Sequence, residues 1–216
     1  MPLIRSVFQD ELDSVSQTLF DLSVMVSDSM ARATKSVMTK DLKLAEEVIT
    51  SDEKIDTVKH DLDARIIDII ARQQPVASDL RALVTALRMS ADLERMGDLA
   101  HHVAKLVRLR HPASAVPAEL LALVEVIGET AEKIATKTGV VISTRDVALA
   151  AQVEKDDDEM DMLHRKLIST LVEPSWPHGV ETAIDLTLLG RYYERYADHA
   201  VSVARRVIFL VTGKFA

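Results

Sequence analysis

The sequence predicts an all-α protein built as two tandem three-helix bundles. Three observations carry that reading. Apolar residues recur at spacings of three and four along almost the whole chain. Gly and Pro number only 6 each in 216 residues, too few for a turn-rich β architecture. The third observation is a residue-level repeat between the two halves. Asp41-Leu42-Lys43-Leu44-Ala45 matches Asp146-Val147-Ala148-Leu149-Ala150, and Glu94-Arg95-Met96-Gly97-Asp98-Leu99-Ala100 matches Glu194-Arg195-Tyr196-Ala197-Asp198-His199-Ala200. A three-helix unit used twice accounts for both matches.

The elements follow in order. Phe8, Leu12, Val15, Leu19, Leu22, Val26, Ala33 and Val37 form the stripe of one long helix, interrupted near Ser29. A second stripe after Asp41 runs through Leu44, Val48, Ile55, Leu62, Ile66 and Ile69, and Gln73-Gln74-Pro75 ends it. Ser78 or Asp79 is expected to cap a third helix reaching Arg110. The segment from His111-Pro112 to Pro117 breaks the chain, which sets the expected units at residues 1–112 and 117–216. Leu120, Leu123, Val124, Ile127, Ala131, Ile134, Thr138 and Val141 make the fourth stripe, in which Gly128 and Gly139 mark close packing or a weak point. Asp146 is expected to cap a fifth helix that Pro174-Ser175-Trp176-Pro177-His178-Gly179 terminates, and a sixth runs from about Val180 to Val211. Tyr193 and Tyr196 fall on its core stripe.

Composition narrows the function classes. The net charge of −8, without a basic patch, argues against nucleic acid as a partner. There is no Cys for a thiolate metal site or disulfide framework, which fits a reducing compartment. No run approaches the roughly 18 apolar residues of a membrane span. The N-terminal residues lack the apolar core of a signal peptide, so the expected location is cytoplasmic.

The chemistry-bearing feature is a set of paired carboxylates. Glu94 with Asp98 and Glu194 with Asp198 are spaced i,i+4 on the third and sixth helices, opposite the apolar stripes. Asp52 with Asp56, and Asp157 with Asp161, flank the stripes of the second and fifth. Like charges at that spacing repel unless something positive lies between them. With 34 acidic residues, roughly five such pairs arise by chance, and most such faces are simply solvated, so one pair means little. Matched pairs in two repeats mean more. If neighbouring helices bring the pairs together, four carboxylates meet on the surface of each half. Oxygen-only ligation suits Mg²⁺, Mn²⁺, Ca²⁺ or iron, and His101, His102 or His199 as additional ligands would shift preference towards iron or zinc.

These same motifs resemble the paired E-R-x-x-D-x-A motifs of the PhoU family. The resemblance extends over essentially the whole chain, though Ala197 stands where the family pattern often has Gly. It implies two three-helix bundles related by pseudo-two-fold symmetry. It also implies metal ions, single or clustered and with iron favoured, bound by Glu94, Asp98, Glu194 and Asp198, with Asp52, Asp56, Asp157 and Asp161 matching the second-helix motif. The implied role is a negative regulator of high-affinity phosphate uptake. Such a protein is a homodimer linking a PstB-like phosphate transporter ATPase to a PhoR-like sensor histidine kinase, and reaches the membrane only through those partners.

Rival readings are weaker. A helical di-iron enzyme wants Glu-x-x-His on two helices, and no Glu here has His three residues later. There is neither a G-x-S-x-G elbow nor a G-x-x-x-x-G-K-[ST] loop. Lys59-His60-Asp61-Leu62 superficially matches a kinase phosphoacceptor helix, but Thr-Pro does not follow, so His60 is read as a surface residue. A helical adaptor that needs no metal is the serious alternative.

Overall fold

The computed structural model describes residues 2–214, with backbone alone for 2–6. The outermost bounds of the two expected units, residue 1 and residues 215–216, lie outside the described residues. The described residues form six α-helices: α1 (Pro2–Thr39), α2 (Leu42–Gln73), α3 (Ala77–Arg110), α4 (Leu121–Thr144), α5 (Val147–Leu171) and α6 (Gly179–Thr212). A 3-10 turn at Ala118–Leu120 leads into α4.

Local signals explain most of the ends. Asp41 accepts from Leu44 N at 3.0 Å to cap α2, and Asp146 accepts from Ala148 N and Leu149 N at 2.8 and 3.0 Å to cap α5. α2 stops at Gln74 in the left-handed region, just before Pro75. The expected cap of α3 is corrected. The helix begins at Ala77 after Val76, which has no cappable side chain, so Ser78 and Asp79 lie inside the first turn. Asp79 there faces the positive end of the helix dipole instead of capping it.

The packing has pseudo-two-fold form. α1, α2 and α3 pack on one another, as do α4, α5 and α6. The halves meet through equivalent helices, α1 on α4 and α3 on α6, while α2 and α5 lie on the flanks and touch only their own unit. The buried apolar residues of both halves form one continuous core, so the units share their interior.

α1 is therefore buried on two sides. Leu22, Val26, Met30 and Ala33 are fully buried, and so are Ser23, Ser29 and Ser36, the polar positions that break the apolar stripe. Ser36 Oγ donates to Ala33 O and Ser23 Oγ to Phe20 O, which satisfies them inside the helix. Their small size matters at α4. A methyl group added at Gly139 would lie 2.8 Å from Ser23 Oγ, and one at Gly128 would lie 2.3 Å from Thr34 Cγ2. Both glycines thus permit close packing. Thr34 Oγ1 in turn hydrogen-bonds the Tyr193 hydroxyl at 2.8 Å, and the Tyr196 hydroxyl donates to Val26 O at 3.0 Å. Two fully buried tyrosines of α6 are thereby anchored to α1 in the other half.

Gly128→Ala should therefore destabilise the protein although Ala is the better helix former. The expected cost is about 2 kcal/mol, read as a Tm loss of roughly 4–8 °C. In a Thr34→Ala background, where the clashing Cγ2 is gone, the same change should cost roughly half or less. Equal costs in the two backgrounds would show that Thr34 is not the obstacle.

Candidate metal centre

Two carboxylate groups lie in the outer grooves between α2 and α3 and between α5 and α6. Each arises because the helix faces left over after core packing converge at the groove. Asp52 is buried beside Ile55 on α2, and the wall facing them is Gly97, where an added methyl would lie 3.1 Å from Ile55 and 3.3 Å from Asp52 Oδ1. Gly97 is what lets α3 approach Asp52 closely. At the equivalent place in the second half Ala197 and Met160 are both fully buried. An unbranched Met adapts its shape to the extra methyl. The replacement of Gly by Ala is absorbed without breaking the helix, which continues through Ala197.

In the first half, burial pushes the Asp56 carboxyl above its ordinary range, and the charges of Asp52 and Asp98 push it further. Glu94 is raised by burial and then by Asp98 and Asp56. Carboxylates on α2 and α3 therefore face each other, as the matched pairs required. Cations surround them. Arg95 pairs with Asp98 and lies 3.7 Å from Glu94, and Lys59 pairs with Asp63 at 2.9 Å within the field of Glu94 and Asp56. His101 turns inward to hydrogen-bond the Asp52 carboxylate through Nδ1, leaving Nε2 buried with no hydrogen-bond partner among the described residues.

In the second half Asp157 is the most strongly raised carboxyl. Burial raises Asp157 to about 6, helped by the charges of Asp198, Asp161 and Glu194. Its Oδ1 is buried with no hydrogen-bond partner among the described residues. Glu194 is raised by burial and by Asp198, and pairs with Arg191. The acidic run on α5 divides: Asp156 and Glu159 reach Lys137 and Lys133 on α4, while Asp157 faces α6.

The remaining histidines are placed elsewhere. His102 stacks on Tyr192 of α6 with ring centroids 5.2 Å apart, and burial together with Lys105 lowers its pKa. His199 crosses the seam between halves, with Nδ1 3.1 Å from Asp92 Oδ1. Arg206 Nε donates to the same carboxylate at 2.8 Å. Burial pushes Asp92 up, but His199 and Arg206 outweigh it and hold the group below its ordinary value. Asp92 and Arg206 went unnoticed in the sequence because their partners lie on a helix more than 100 residues away.

Among the described residues, no three His, Asp or Glu side chains are gathered closely enough to hold a metal ion as they stand. The donor set nevertheless suits a hard cation in charge and in kind. Each half offers four carboxylates, two of them raised by burial and by their neighbours, and Asp157 Oδ1 has no hydrogen-bond partner among the described residues.

Comparison with known proteins decides the family. The PhoU domain family matches residues 19–107 and again 124–207. The chain belongs to the PhoU family. It is 45% identical to phosphate-specific transport system accessory protein PhoU homolog 1 of Mycobacterium leprae, over 98% of this chain and 96% of that one. PhoU homolog 2 of Mycobacterium tuberculosis is 44% identical over 98% of this chain and all of its own length. The crystal structure of PhoU from Pseudomonas aeruginosa superposes with a TM-score of 0.83 at 28% identity, covering 96% of this chain and 100% of that chain. The phosphate transport system regulatory protein PhoU from Streptococcus pneumoniae gives 0.86 at 21% identity, covering 97% and 99%, which speaks for the fold. The all-α architecture expected from the stripes is thus shared with known PhoU folds.

The Asp157 environment makes a prediction for the metal-free protein. A carboxyl with a folded pKa near 6, against an ordinary 3.8, binds its proton more tightly when folded. Its contribution to stability is full below about pH 4 and lost as pH rises through about 6. Asp157→Asn should then stabilise the metal-free chain near neutral pH by on the order of 1 kcal/mol, allowing for partial exposure, or roughly 2–4 °C in Tm. The gain should vanish below about pH 4. Thermal melts across this range decide it, and a gain that does not change with pH would mean that burying a charged carboxylate beside other carboxylates is not the cause.

Proposed function

We propose that this chain is an accessory and regulatory protein of phosphate-specific transport rather than an enzyme. The observation that carries the reading is the pair of family matches, one in each half, together with close relatives named for that role over nearly their full length. Its finer form is a negative regulator that links the transporter ATPase to a sensor histidine kinase, working as a homodimer. Among the described residues no helix is long and apolar enough to cross a membrane, so the approach to a membrane transporter is assigned to protein partners.

The two carboxylate groups are read as metal centres. Glu94, Asp98, Asp52 and Asp56 would hold ions in one groove, and Glu194, Asp198, Asp157 and Asp161 in the other. What supports this is electrostatic: Asp56 and Glu94 in one group and Asp157 and Glu194 in the other are raised by burial and then by neighbouring carboxylates, which is the condition a bound cation relieves. His101 Nε2 adds a buried nitrogen in the first group. His102 and His199 are engaged by Tyr192 and Asp92 instead. Iron is the favoured ion, with zinc, manganese and magnesium as competitors that availability decides.

Metal analysis of protein purified without a His-tag or chelator tests the site. Glu94→Ala/Asp98→Ala and Glu194→Ala/Asp198→Ala should each lose about half of the bound metal if the two grooves bind independently. Protein that stays metal-free after incubation with iron, zinc and manganese would leave an ion-independent helical adaptor. The regulatory reading has its own test in a phosphate-responsive reporter strain lacking its native regulator. Expression of this chain should restore repression when phosphate is plentiful, and failure to do so would count against it.

A further inference from the structure

The seam of α3 and α6 carries two apolar patches that are equivalent under the internal repeat but opposite in charge. Eight of the fifteen large exposed apolar side chains among the described residues belong to α3, its N-cap or α6. At the start of α3, Leu80 and Val84 are exposed on one stripe with Arg81 and Arg88. A groove of about 400 Å³ lies there, walled by those residues and Phe209 of α6. The Arg81 guanidinium sits over the Phe209 ring, 5.7 Å from its centroid, and neither Arg81 nor Arg88 has a carboxylate partner among the described residues. The equivalent positions on α6 are Val180, Glu181, Ile184 and Leu188, with Leu109 in the place of Phe209. Val180 is 76% exposed, Ile184 54% and Leu109 69%. Basic positions in one patch have become acidic or apolar in the other.

The two patches lie at opposite ends of the seam. Arg110 near the end of α3 is paired with Asp185 and Glu181 near the start of α6, so the helices run antiparallel. Patch centres are then separated by about 25 residues of helix, roughly 35–40 Å. The pseudo-two-fold relating the halves passes through the seam, so both patches face the same way.

We infer that this face closes a homodimer in which the α3 patch of each copy receives the α6 patch of the other. The inference rests on the homodimer reading above and names its surface. The occupant is a second copy because the chain itself supplies the complement. A short amphipathic stripe carrying Val180, Ile184, Leu188 and one acid fits an apolar groove bordered by two arginines that have no carboxylate partner among the described residues. Internal symmetry leaves two ways to stack such faces about an in-plane dyad. One sets Arg81 and Arg88 against their own copies. The other sets Arg81 against Glu181 of the second copy, twice, and charge selects it. Both patches are used at once, so the assembly is closed and does not grow into a filament. Exposed apolar residues at matching places in both repeats then have one explanation.

Sedimentation of metal-free protein over a concentration series tests this, with Tm and helicity checked for each variant. Arg81→Glu and Glu181→Arg should each weaken the dimer at least about tenfold, and the double charge exchange should restore it. Glu181→Arg also disturbs Arg110, so Ile184→Asp, which touches no ion pair, serves as the second disrupting variant. Val140→Asp on the opposite α1–α4 face should leave the dimer intact. A dimer insensitive to the α3 and α6 changes, or broken by Val140→Asp, overturns the surface while leaving the homodimer reading in place. A monomer at every concentration overturns both. Open-ended polymers overturn the closed arrangement.

Discussion

Helices α1 and α4 can share one core only because Gly128 and Gly139 present no side chain where Thr34 and Ser23 sit. That close approach sets the rest of the geometry. It brings α3 against α6 on the other side of the molecule and places Tyr193 and Tyr196 where their hydroxyls reach Thr34 and Val26. It also pushes α2 and α5 to the flanks, where each packs against its own unit alone. A flanking helix has one buried stripe and a wide wet face. The carboxylate pairs occupy the edge between the two, half-buried and open to solvent, where charge is costly enough to matter and accessible enough to be used.

The halves share a plan, but their chemistry differs in ways that trace to single residues. Asp52 has His101 as a partner, whereas the residue equivalent to His101 is Val201, buried and unable to hydrogen-bond. Asp157, equivalent to Asp52, is therefore left with an unpartnered buried oxygen and the strongly raised proton affinity. Lys59 lies in the field of Asp56 and Glu94, while the second half has His164, a weaker base, near Glu194. The first groove is more fully neutralised by its own side chains than the second, where Arg191 pairs with Glu194 but no cation among the described residues pairs with Asp157. If both hold cations, the second has more charge to offer and the first has a nitrogen donor at hand, so the two need not prefer the same ion.

Much of this architecture is legible in the amino-acid sequence, because helical stripes, acidic caps at Asp41 and Asp146 and proline breaks are local signals. That Glu94 on α3 lies in the field of Asp56 on α2 is legible too, since a repeat fixes which helices are neighbours. What stays hidden is whatever depends on how the halves meet. The interruption of the α1 stripe near Ser29 is in fact part of a second buried face that also takes in Ser23 and Ser36, whose hydroxyls bond within their own helix and so are buried at little cost. Asp185 and Asp92 carry no local signal, yet each is held by an arginine from across the seam. His199 sits inside the second motif and points away from it for the same reason.

Those seam contacts also lie beside the two carboxylate groups. Asp92 precedes Glu94 by two residues on α3, and His199 directly follows Asp198 on α6. The Asp92–His199 hydrogen bond thus joins the two helices at the turns that carry the motif carboxylates. A cation that drew Glu94 and Asp98 towards α2 would act on a helix whose opposite side is tied to α6 at Asp92 and again at Arg110–Asp185. The α3–α6 pair thus joins the two grooves physically, and its exposed face is the one that carries the complementary patches.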